Sequence, residues 1–551
     1  MSFNRNPQSI HNPPTIGHEG YLVASGDLRL SANQESWSTQ EAMEKQLTDA
    51  FRKYDFSIKR AHSVDPVLKH GFIWNQRMGM DVFQNIPKDA PVIVAIAVWQ
   101  YSYHVLAGLR DHRGPILTVA NWSGNRPGLV GLLNLNGCLT KMNVPYSTIW
   151  SEDFTDDFFL SGIKQWLETS KIIHDINHVR DLDTSKLPKE ANELGRALGK
   201  QLKAKKAILG IFDEGCMGMY NAIIEDELLN ACGIYKERLS QSALLAEMRH
   251  VEDTEAKAVK KWLDQRGMKF NFGRDEKTEL TEHQVHEQLK MYIASMRIAH
   301  AFGCDAIGIQ YQQGLKDMTP ASDLAEGLLN NVERPPVYHK QTRQELYPNQ
   351  ALPHFNEVDE GAGVDCLVTN RVWSALGFDP ANTLHDIRWG KYYPGRFDNA
   401  FIWVFEISGA VPPSHLCGGY SGAVSERQVP MYFPLGGGTI KGISKPGEIV
   451  WSRVFIENSK LHADIGRGTV VELPEDEVAF LSKSTDPQWP MMLARLHGIS
   501  RNQHMARHKA NHIQVAYAPS AQEADEALAV KASMFDEMGI TVHICGDVKV
   551  G

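Results

Sequence analysis

Cysteine, long apolar runs and a surplus of positive charge are all scarce in this sequence, and each shortage excludes a class of protein. The 551 residues include seven cysteines, none in a Cys-x-x-Cys pair. The odd number and low density fit a reducing compartment rather than a disulfide framework. The segment Met1–Gly20 is polar, and the apolar run Pro91–Trp99 is about half as long as a membrane helix. We therefore expect a cytoplasmic protein with no secretory signal and no membrane partner.

Charge argues against nucleic acid as a partner. Lys and Arg number 57 against 66 Asp and Glu, which gives a net charge of −9. Because such a chain repels a phosphate backbone, we do not expect a dedicated nucleic-acid binder. The composition, 42% hydrophobic and 22% charged, is ordinary for a globular protein. At roughly 100–200 residues per domain, the length predicts about three or four domains.

Familiar catalytic motifs are missing as well. The sequence has no P-loop, Gly-x-Ser-x-Gly elbow, His-Glu-x-x-His pair or EF-hand loop. Gly215-Cys-Met-Gly218 follows a predicted strand and opens a predicted helix, where phosphates bind, but it lacks the dinucleotide fingerprint. Gly436-Gly-Gly-Thr-Ile-Lys-Gly442 has the composition of an anion nest, but a structural loop is the favoured interpretation.

Alternating strand-like and helix-like segments fill the first two thirds of the chain. Continuous apolar runs at 91–98, 116–120, 207–212 and 306–310 predict buried strands of parallel sheets, and a helical pattern spans 282–300. The last third is rich in glycine and proline, with short strands predicted at 402–407, 449–455, 469–473 and 514–517. We predict two Rossmann-like α/β domains, residues 1–173 and 174–375, then a C-terminal antiparallel, barrel-like β domain, residues 376–551.

Three groups of side chains have types suited to metal or proton chemistry. Two acidic clusters, 356–363 and 385–389, lie in apolar surroundings, and His504, His508 and His512 follow one another at helical spacing. Spacing alone leaves two interpretations open for each group. The carboxylates are either functional or ordinary ion-paired groups, and the histidines either bind a metal or form a polar helix face. The residues by themselves predict a multidomain α/β and β protein, most simply an enzyme.

Seven short segments, in order along the chain, resemble motifs of the L-fucose isomerase family of metal-dependent aldose–ketose isomerases. The resemblance covers about residues 90 to 545. The segments are Arg126-Pro-Gly-Leu-Val-Gly131, Gly308-Ile-Gln-Tyr-Gln312, Asn356-Glu357-Val-Asp359, Asp386-Ile-Arg388, Val471-Glu-Leu-Pro474, Trp489-Pro490 and Ala510-Asn511-His512. Each is weak alone, and their shared order makes the resemblance specific.

The resemblance implies a site and an assembly. Two carboxylates and a histidine of the family bind a divalent ion, usually Mn²⁺, and they correspond to Glu357, Asp386 and His512. The resemblance also implies a hexamer in which a neighbour's N-terminal domain closes the site with a tryptophan that matches Trp99. The substrate-binding positions that it implies are Gln310, Gln312, Asn511, Arg388, Thr439 and Trp99. Arg388 either offsets the charge of Asp386 or forms a structural ion pair.

The chemistry of sugar isomerisation suits these residue types. A proton moves between two adjacent sugar carbons through a cis-enediol, and a divalent ion stabilises the negative charge. A carboxylate beside the ion carries the proton. Glu357 and Asp386 are the candidates for this role, and the sequence does not assign it to one of them.

The sequence departs from the family pattern at positions that are expected to contact the substrate. Thr439 stands where the family has a substrate-facing tyrosine, and Met491 follows Trp489-Pro490 in place of a tryptophan. The ligand types are kept while the wall differs, so a sugar or sugar derivative other than L-fucose is expected. Two alternatives remain: an epimerase or retro-aldol lyase on the same scaffold, and a sugar-binding protein without catalysis.

Overall fold

The protein has a mixed α/β fold with two parallel sheets of five and three strands, a two-stranded parallel pair, and one large, mostly antiparallel sheet. The computed structural model describes residues 16–126 and 128–549. The first fifteen residues, on which part of the signal-peptide prediction rests, and Pro127 of the Arg126-Pro-Gly motif lie outside the described residues. No helix within the described ranges is both long enough and apolar enough to cross a membrane.

The N-terminal part is a five-stranded parallel sheet in the order β2-β1-β3-β4-β5. Its elements are β1 Glu19–Val23, α1 Leu30–Arg52, β2 Ser57–Arg60, α2 Gln76–Gln84, β3 Val92–Ile96, α3 Tyr103–Asp111, β4 Ile116–Asn121, α4 Gly128–Lys141, β5 Ser147–Ser151 and α5 Asp157–Thr169. Strands β3 and β4 lie where the apolar runs predict strands. Every residue of both is buried, because helices cover the two faces of a parallel sheet.

Helix α4 connects this part to the rest of the molecule. Its sequence has small and apolar residues on all sides, and all of its residues are buried. A Cβ on Gly137 would lie 2.3 Å from the carbonyl oxygen of Lys509, so glycine is required for the close approach of this helix to the C-terminal segment. One hydrophobic core continues across this contact and joins Leu132 and Trp150 to Trp403 and Trp451.

The middle of the chain forms a smaller parallel sheet, β10-β7-β8, surrounded by helices. Its elements are β6 Val179–Asp181, α6 Lys189–Lys205, β7 Ala207–Phe212, α7 Asp226–Ala231, β8 Ile234–Leu239, α8 Gln241–Met248, α9 Asp253–Gln265, β9 Lys269–Phe270, α10 Glu282–Phe302, β10 Ala306–Ile309, α11 Asp323–Leu329 and α12 Glu360–Leu376. Strands β7 and β10 and helix α10 match the predicted segments. Strand β6 belongs to the large C-terminal sheet, where it pairs with the last strand of the chain.

The C-terminal part contains most of the eight-stranded sheet. Its elements are β11 Asn382–Tyr392, β12 Phe401–Glu406, β13 Val424–Ser425, β14 Gly447–Glu457, β15 Lys460–Val470, α13 Glu475–Lys483, β16 Met491–Leu496, α14 Arg501–Arg507, β17 His512–Ala518, α15 Ala521–Met538 and β18 Thr541–Cys545. The strand order is β14-β17-β11-β12-β16-β15-β18-β6, and β14 also pairs with β15. All pairs are antiparallel except the parallel pair of β15 and β18. The barrel and the two boundaries between the three predicted domains stay predictions.

Two local expectations differ from the structure. The strand predicted at 469–473 begins earlier, because β15 runs from Lys460 to Val470. The histidines at helical spacing do not share a helix face, since α14 ends at Arg507, His508 is extended and His512 begins β17. His504 and His508 are buried rather than solvated, and the ring of His504 packs edge-on against Trp403. Tertiary packing therefore overrides the helical spacing.

Candidate active site

A cavity lies where the two parallel sheets meet the large sheet. The middle and C-terminal parts contribute the side chains of Glu357, Asp386 and Asn511 among others, and the N-terminal part contributes Arg29 and Trp99. The complete lining is Arg29, Trp99, Val130, Met217, Gln312, Glu357, Asp386, Arg388, Ser408, Tyr432, Phe433, Trp489 and Asn511. The charged, amide and aromatic side chains of this lining suit a small polar ligand such as a monosaccharide.

Strand topology explains why these residues meet. Arg29 follows β1, Trp99 follows β3 and Val130 lies in the helix that follows β4, so all three lie past the carboxyl end of a parallel strand. Met217 follows β7 and Gln312 follows β10 in the same way. Ligands of open parallel sheets bind outside these carboxyl ends, because the connecting loops gather there. The carboxyl ends of the strands in both parallel sheets therefore lie next to the same cavity.

Glu357 stands on a strained turn. Its φ is +58° and that of Val358 is +53°, which is an outlier for a β-branched residue. The turn is held on both sides: the Asn356 amide donates a hydrogen bond to Glu326, and Asp359 caps the N-terminus of α12. Strain of this kind persists where surrounding contacts over-determine it, and it is concentrated at functional sites. The turn presents the carboxylate of Glu357 to the cavity.

Asp386 and His512 are direct partners on neighbouring antiparallel strands, β11 and β17. Cross-strand partners project from the same face of a sheet, so their side chains converge. The Nε2 atom of His512 lies 3.4 Å from Oδ1 of Asp386 and 3.7 Å from Oε2 of Glu357. The three side chains that the family resemblance implies as ligands are therefore neighbours, although 155 residues separate the first from the last along the chain.

A further carboxylate, that of Asp359, fixes the orientation of the His512 ring. The Nδ1–H group of His512 donates to Oδ2 of Asp359 at 2.7 Å, and Arg453 pairs with both oxygens of Asp359 at 2.6 and 3.0 Å. All three side chains are buried. Because a carboxylate only accepts, this contact places the ring proton on Nδ1 and leaves the Nε2 lone pair of the neutral ring directed at Glu357 and Asp386. Nε2 is buried and has no hydrogen-bond partner among the described residues.

The side chains of Glu357, Asp386 and His512 place two carboxylates close together in a buried site, which disfavours their charged forms. Burial, together with the nearby charge of Asp386, raises the pKa of Glu357 to about 7. Burial also raises the pKa of Asp386. Burial lowers the pKa of His512, but the hydrogen bond to Asp359 and the surrounding carboxylates outweigh it, so the net shift is upward. A cation at Nε2 would relieve both carboxylates.

The predicted substrate residues divide into two groups. Trp99, Gln312, Arg388 and Asn511 line the cavity, and the amide of Asn511 donates to Asp386 at 3.4 Å. Gln310 lies behind the wall, where its amide donates to the carbonyl of Gly215 and its oxygen accepts from the backbone N–H of Gln312.

Thr439 is not among the residues that line the cavity. Its hydroxyl accepts a hydrogen bond from the backbone N–H of Glu426, and its side chain is buried. A Cβ on Gly409 would lie only 2.7 Å from the Thr439 methyl group, so the methyl packs tightly against that backbone. These contacts hold the Thr439 side chain within the protein core and away from the cavity.

Arg388 forms ion pairs at the wall of the cavity. Its guanidinium lies 2.6 Å from Asp486 and 3.7 Å from Glu406, and it donates to the carbonyl oxygen of Gly124. A register shift in β11 between Ile387 and Trp389 turns Arg388 toward these partners. Of the two interpretations of Arg388, the contacts favour the structural ion pair.

Glu406 predicts a measurable pH dependence of stability. Burial raises its pKa to about 8, against an ordinary value of 4.5 in the unfolded chain. Between these values the folded state holds a proton that the unfolded chain has lost, so stability falls as pH rises through this window. Glu406→Gln removes this contribution, and the stability slope between about pH 5 and 8 should become shallower by up to about 1.4 kcal/mol per pH unit. Denaturant unfolding of both proteins across this range measures the slopes, and equal slopes would contradict the assignment.

Several cavity residues were not identified from the sequence. Arg29, Ser408, Tyr432 and Phe433 lie outside the motifs that carry the family resemblance, and no sequence signal marked them. Met217 lies in the Gly215–Gly218 loop, which the sequence marks only as a place where phosphates could bind. Trp489 lies in one of those motifs but was not predicted as a lining residue. Its indole N–H donates to Gln428, whose amide donates in turn to the carbonyl oxygen of Ser408. The aromatic side chains that line the cavity are thus different from the tyrosine and the tryptophan of the family pattern that this chain lacks.

Across residues 16–126 and 128–549, no group of three or more His, Cys, Asp or Glu side chains has a geometry ready to hold a metal ion. In an octahedral site with bonds of about 2.1 Å, neighbouring ligand atoms lie roughly 3 Å apart. The gaps of 3.4 and 3.7 Å around His512 exceed this by less than an ångström. Shifts of less than an ångström would therefore bring Nε2 of His512 to ligand spacing from the oxygens of Glu357 and Asp386.

Comparison with known proteins gives one family match. Residues 423–536 match the model described as L-fucose isomerase, C-terminal domain. This confirms the family resemblance drawn from the sequence motifs. The matched segment includes Asn511 and His512 but neither Glu357 nor Asp386. No curated protein matches the chain.

Proposed function

We propose that this chain, which belongs to the L-fucose isomerase family through residues 423–536, is an aldose–ketose isomerase that acts on a free monosaccharide or a close derivative. One observation carries the proposal. A buried imidazole, His512, is hydrogen-bonded at Nδ1 to Asp359 and directs an unpartnered Nε2 at two carboxylates that line the cavity.

The donor set fits a divalent ion such as Mn²⁺. Glu357, Asp386 and His512 would hold it, since two carboxylates and one imidazole suit this class of metal and leave positions open for sugar oxygens. The hydrogen bond from His512 to Asp359 is the partner that metal-binding histidines commonly have. When bound, the ion supplies stabilisation of the negative charge that develops on the sugar oxygens.

Proton transfer in this site falls to the two carboxylates. One takes the proton from the carbon beside the carbonyl, and the electron pair of that C–H bond becomes the double bond of the enediol. The same group returns the proton to the former carbonyl carbon. The other carboxylate passes the proton of the neighbouring hydroxyl to the former carbonyl oxygen, so that this hydroxyl becomes the new carbonyl. Glu357 and Asp386 both line the cavity, so each is placed to take and return a proton of a bound sugar.

The rest of the cavity orients the sugar. Gln312 and Asn511 supply amide groups for hydroxyls, and Trp99, Tyr432 and Trp489 supply aromatic surface for the C–H faces of the ring. Arg388 and Asp486 neutralise each other at 2.6 Å, which favours a neutral sugar over an acidic one.

Product analysis in D₂O tests the proposal. The Mn²⁺-loaded protein is incubated with a panel of aldoses and ketoses, and the products are identified by NMR. We expect an aldose–ketose pair with deuterium on the carbon that exchanges its proton. A 2-epimer as the sole product would indicate an epimerase, shorter fragments would indicate a lyase, and sugar binding without turnover would leave a binding protein; each of these would overturn the isomerase assignment.

A further inference from the structure

We infer that helix α11 supports the cavity through two buried carboxyl groups with separate tasks: Asp323 positions the sugar-binding wall, and Glu326 positions the turn that carries Glu357. Both are positioning residues, because neither is among the residues that line the cavity. The identity of the two ligands, a sugar and a divalent ion, rests on the proposed function. The tasks of the two carboxyl groups are additional to that function and are tested without any assay of turnover.

Helix α11 lies behind the cavity. All seven of its residues are buried, and a Cβ on Gly327 would lie 2.8 Å from the carbonyl oxygen of Val411. The helix is therefore packed against the chain segment that follows Ser408. Asp323 and Glu326 are three residues apart, so their side chains leave neighbouring points of the same helix face. One short helix thus reaches two different parts of the site.

Asp323 reaches the cavity through Ser408. The hydroxyl of Ser408, a lining residue, donates to Oδ1 of Asp323 at 2.9 Å. The side-chain amide of Gln428 donates to the carbonyl oxygen of the same serine and accepts from the indole N–H of Trp489 at 2.8 Å. Both the hydroxyl and the backbone of Ser408 are therefore held from behind the cavity.

The bond to Asp323 also determines what Ser408 offers to a ligand. A hydroxyl has one proton, and Ser408 gives this proton to a carboxyl oxygen, so the lone pairs of its own oxygen are left for the cavity. An acceptor at this point favours a sugar hydroxyl, which can donate, over a deoxy position or an ether oxygen, which cannot. Asp323 thereby makes Ser408 selective for a hydroxyl group of the sugar.

Glu326 acts on the other side of the cavity, where the proposed metal ligands lie. Its carboxyl group accepts a hydrogen bond from the side-chain amide of Asn356, which is completely buried and directly precedes Glu357. Glu357 and Val358 both have positive φ, an unfavourable conformation that surrounding contacts must hold. The bond from Asn356 to Glu326 is one of these contacts, and it fixes the residue at which the turn begins.

Two buried carboxyl groups on one short helix are costly to the fold. Asp323 and Glu326 are each 3% exposed. Burial raises the pKa of Asp323 to about 7 and that of Glu326 well above its usual range. Oδ2 of Asp323 has no hydrogen-bond partner among the described residues. Aliphatic side chains would fill this space without such a cost, so the carboxyl groups are explained by the contacts that they make at the site.

Matched aliphatic and amide variants test the two tasks. Asp323→Leu and Glu326→Met remove each carboxyl group, whereas Asp323→Asn and Glu326→Gln keep an oxygen that can accept the same proton. For each full-length variant, isothermal titration measures the affinity for Mn²⁺ and the affinity of the Mn²⁺-loaded protein for a panel of pentitols and hexitols. These sugar alcohols have no carbonyl group, so their binding is measured without turnover.

Separate tasks predict a crossed result. Asp323→Leu should weaken binding of the sugar alcohols by about 5- to 10-fold, the effect of one lost hydrogen bond, and leave Mn²⁺ affinity unchanged. Glu326→Met should weaken Mn²⁺ binding by a similar factor and leave binding of the sugar alcohols at saturating Mn²⁺ unchanged. The amide variants should stay within about 2-fold of wild type in both affinities, because they keep the acceptor oxygen.

Two results would overturn the inference. If each aliphatic variant lost both affinities to the same extent, general destabilisation would explain the losses and the tasks would not be separate. If neither variant changed either affinity, the carboxyl groups would position nothing. Circular dichroism and denaturant unfolding of all four variants show whether a loss of affinity accompanies a loss of fold.

Ser408→Ala tests whether Asp323 acts through the serine. It should weaken binding of the sugar alcohols as much as Asp323→Leu does, and the double variant should show no further loss, since both changes remove the same contact. Additive losses would overturn this step, and a Mn²⁺-loaded wild type that binds no sugar alcohol would overturn the task of Asp323. A wild type that binds Mn²⁺ and a sugar alcohol but converts no sugar would refute the proposed function and leave both tasks standing.

Discussion

Glu357→Gln is expected to reduce isomerase turnover by about 10³-fold or more. The change keeps the size of the side chain but removes both the charge that would hold the metal and the group suited to carry the proton. The carboxylate lies 3.7 Å from Nε2 of His512 on a turn with φ of +58°, so neighbouring groups are poorly placed to replace it. Steady-state kinetics at saturating Mn²⁺ measures the loss.

Glu360→Gln is the matched control for this variant. Glu360 lies three residues along the chain, is buried, and has a pKa raised by burial to about 7. Its carboxylate contacts Lys236 at 2.9 Å, and it is not among the residues that line the cavity. We expect Glu360→Gln to lower stability and to leave kcat within a few-fold of wild type. Equal losses in the two variants would contradict a special role for Glu357.

Asp359→Asn is expected to weaken Mn²⁺ binding by about 10- to 100-fold, the usual effect of removing the outer partner of a metal-binding histidine. Burial raises the pKa of Asp359, but the charge of Arg453 and the contact with His512 together outweigh burial and hold the pKa far below its usual range. Asparagine removes the charge that holds the His512 ring in place. It also leaves Arg453 buried without its partner, which lowers the free energy of unfolding by roughly 3–5 kcal/mol. Isothermal titration with Mn²⁺ and denaturant unfolding separate the two effects.

Asp365→Asn separates loss of stability from loss of metal. Asp365 lies on the same helix, α12, and forms a buried pair with Lys531 at 2.6 Å. Its removal should destabilise the protein while Mn²⁺ affinity stays unchanged. If Asp365→Asn weakened Mn²⁺ binding as much as Asp359→Asn, the effect would come from general destabilisation and not from the orientation of His512.

The parallel sheets were predictable because their strands are strongly patterned. Runs such as Val92–Ile96 and Ala207–Phe212 are apolar and β-branched throughout or nearly so, which a strand covered on both faces requires. Strand β15 was harder, since charged and glycine residues interrupt it. Its predicted start at Thr469 lies nine residues after the observed start at Lys460.

The proximity of Glu357, Asp386 and His512 was predictable only through the order of the motifs. Nothing in local spacing pairs Asp386 with His512; their contact comes from the register of β11 against β17. Because His512 begins strand β17, the interpretation of His504, His508 and His512 as one helix face is wrong. The burial of His504 depends on Trp403 and Trp451, which lie far away in sequence.

The place of Arg29 in the cavity wall could not be read from the sequence. Arg29 has no motif, and its contacts with Gln312 and Tyr432 join residues 283 and 403 positions apart. Thr439 shows the reverse case, because the family resemblance implies a substrate-facing residue at its position, while its hydroxyl contacts the Glu426 backbone. Side-chain direction in an irregular loop follows from backbone geometry that composition does not encode.

Metal content tests the central claim most directly. The wild type and the variants Glu357→Gln, Asp386→Asn and His512→Ala are purified without chelator, dialysed against Mn²⁺ and analysed for metal, with circular dichroism to check the fold. The account predicts close to one Mn²⁺ per wild-type chain and marked loss in all three folded variants. A folded wild type that takes up no Mn²⁺, or variants that retain it fully, would contradict the assignment of this cavity as the metal-dependent site of a sugar isomerase.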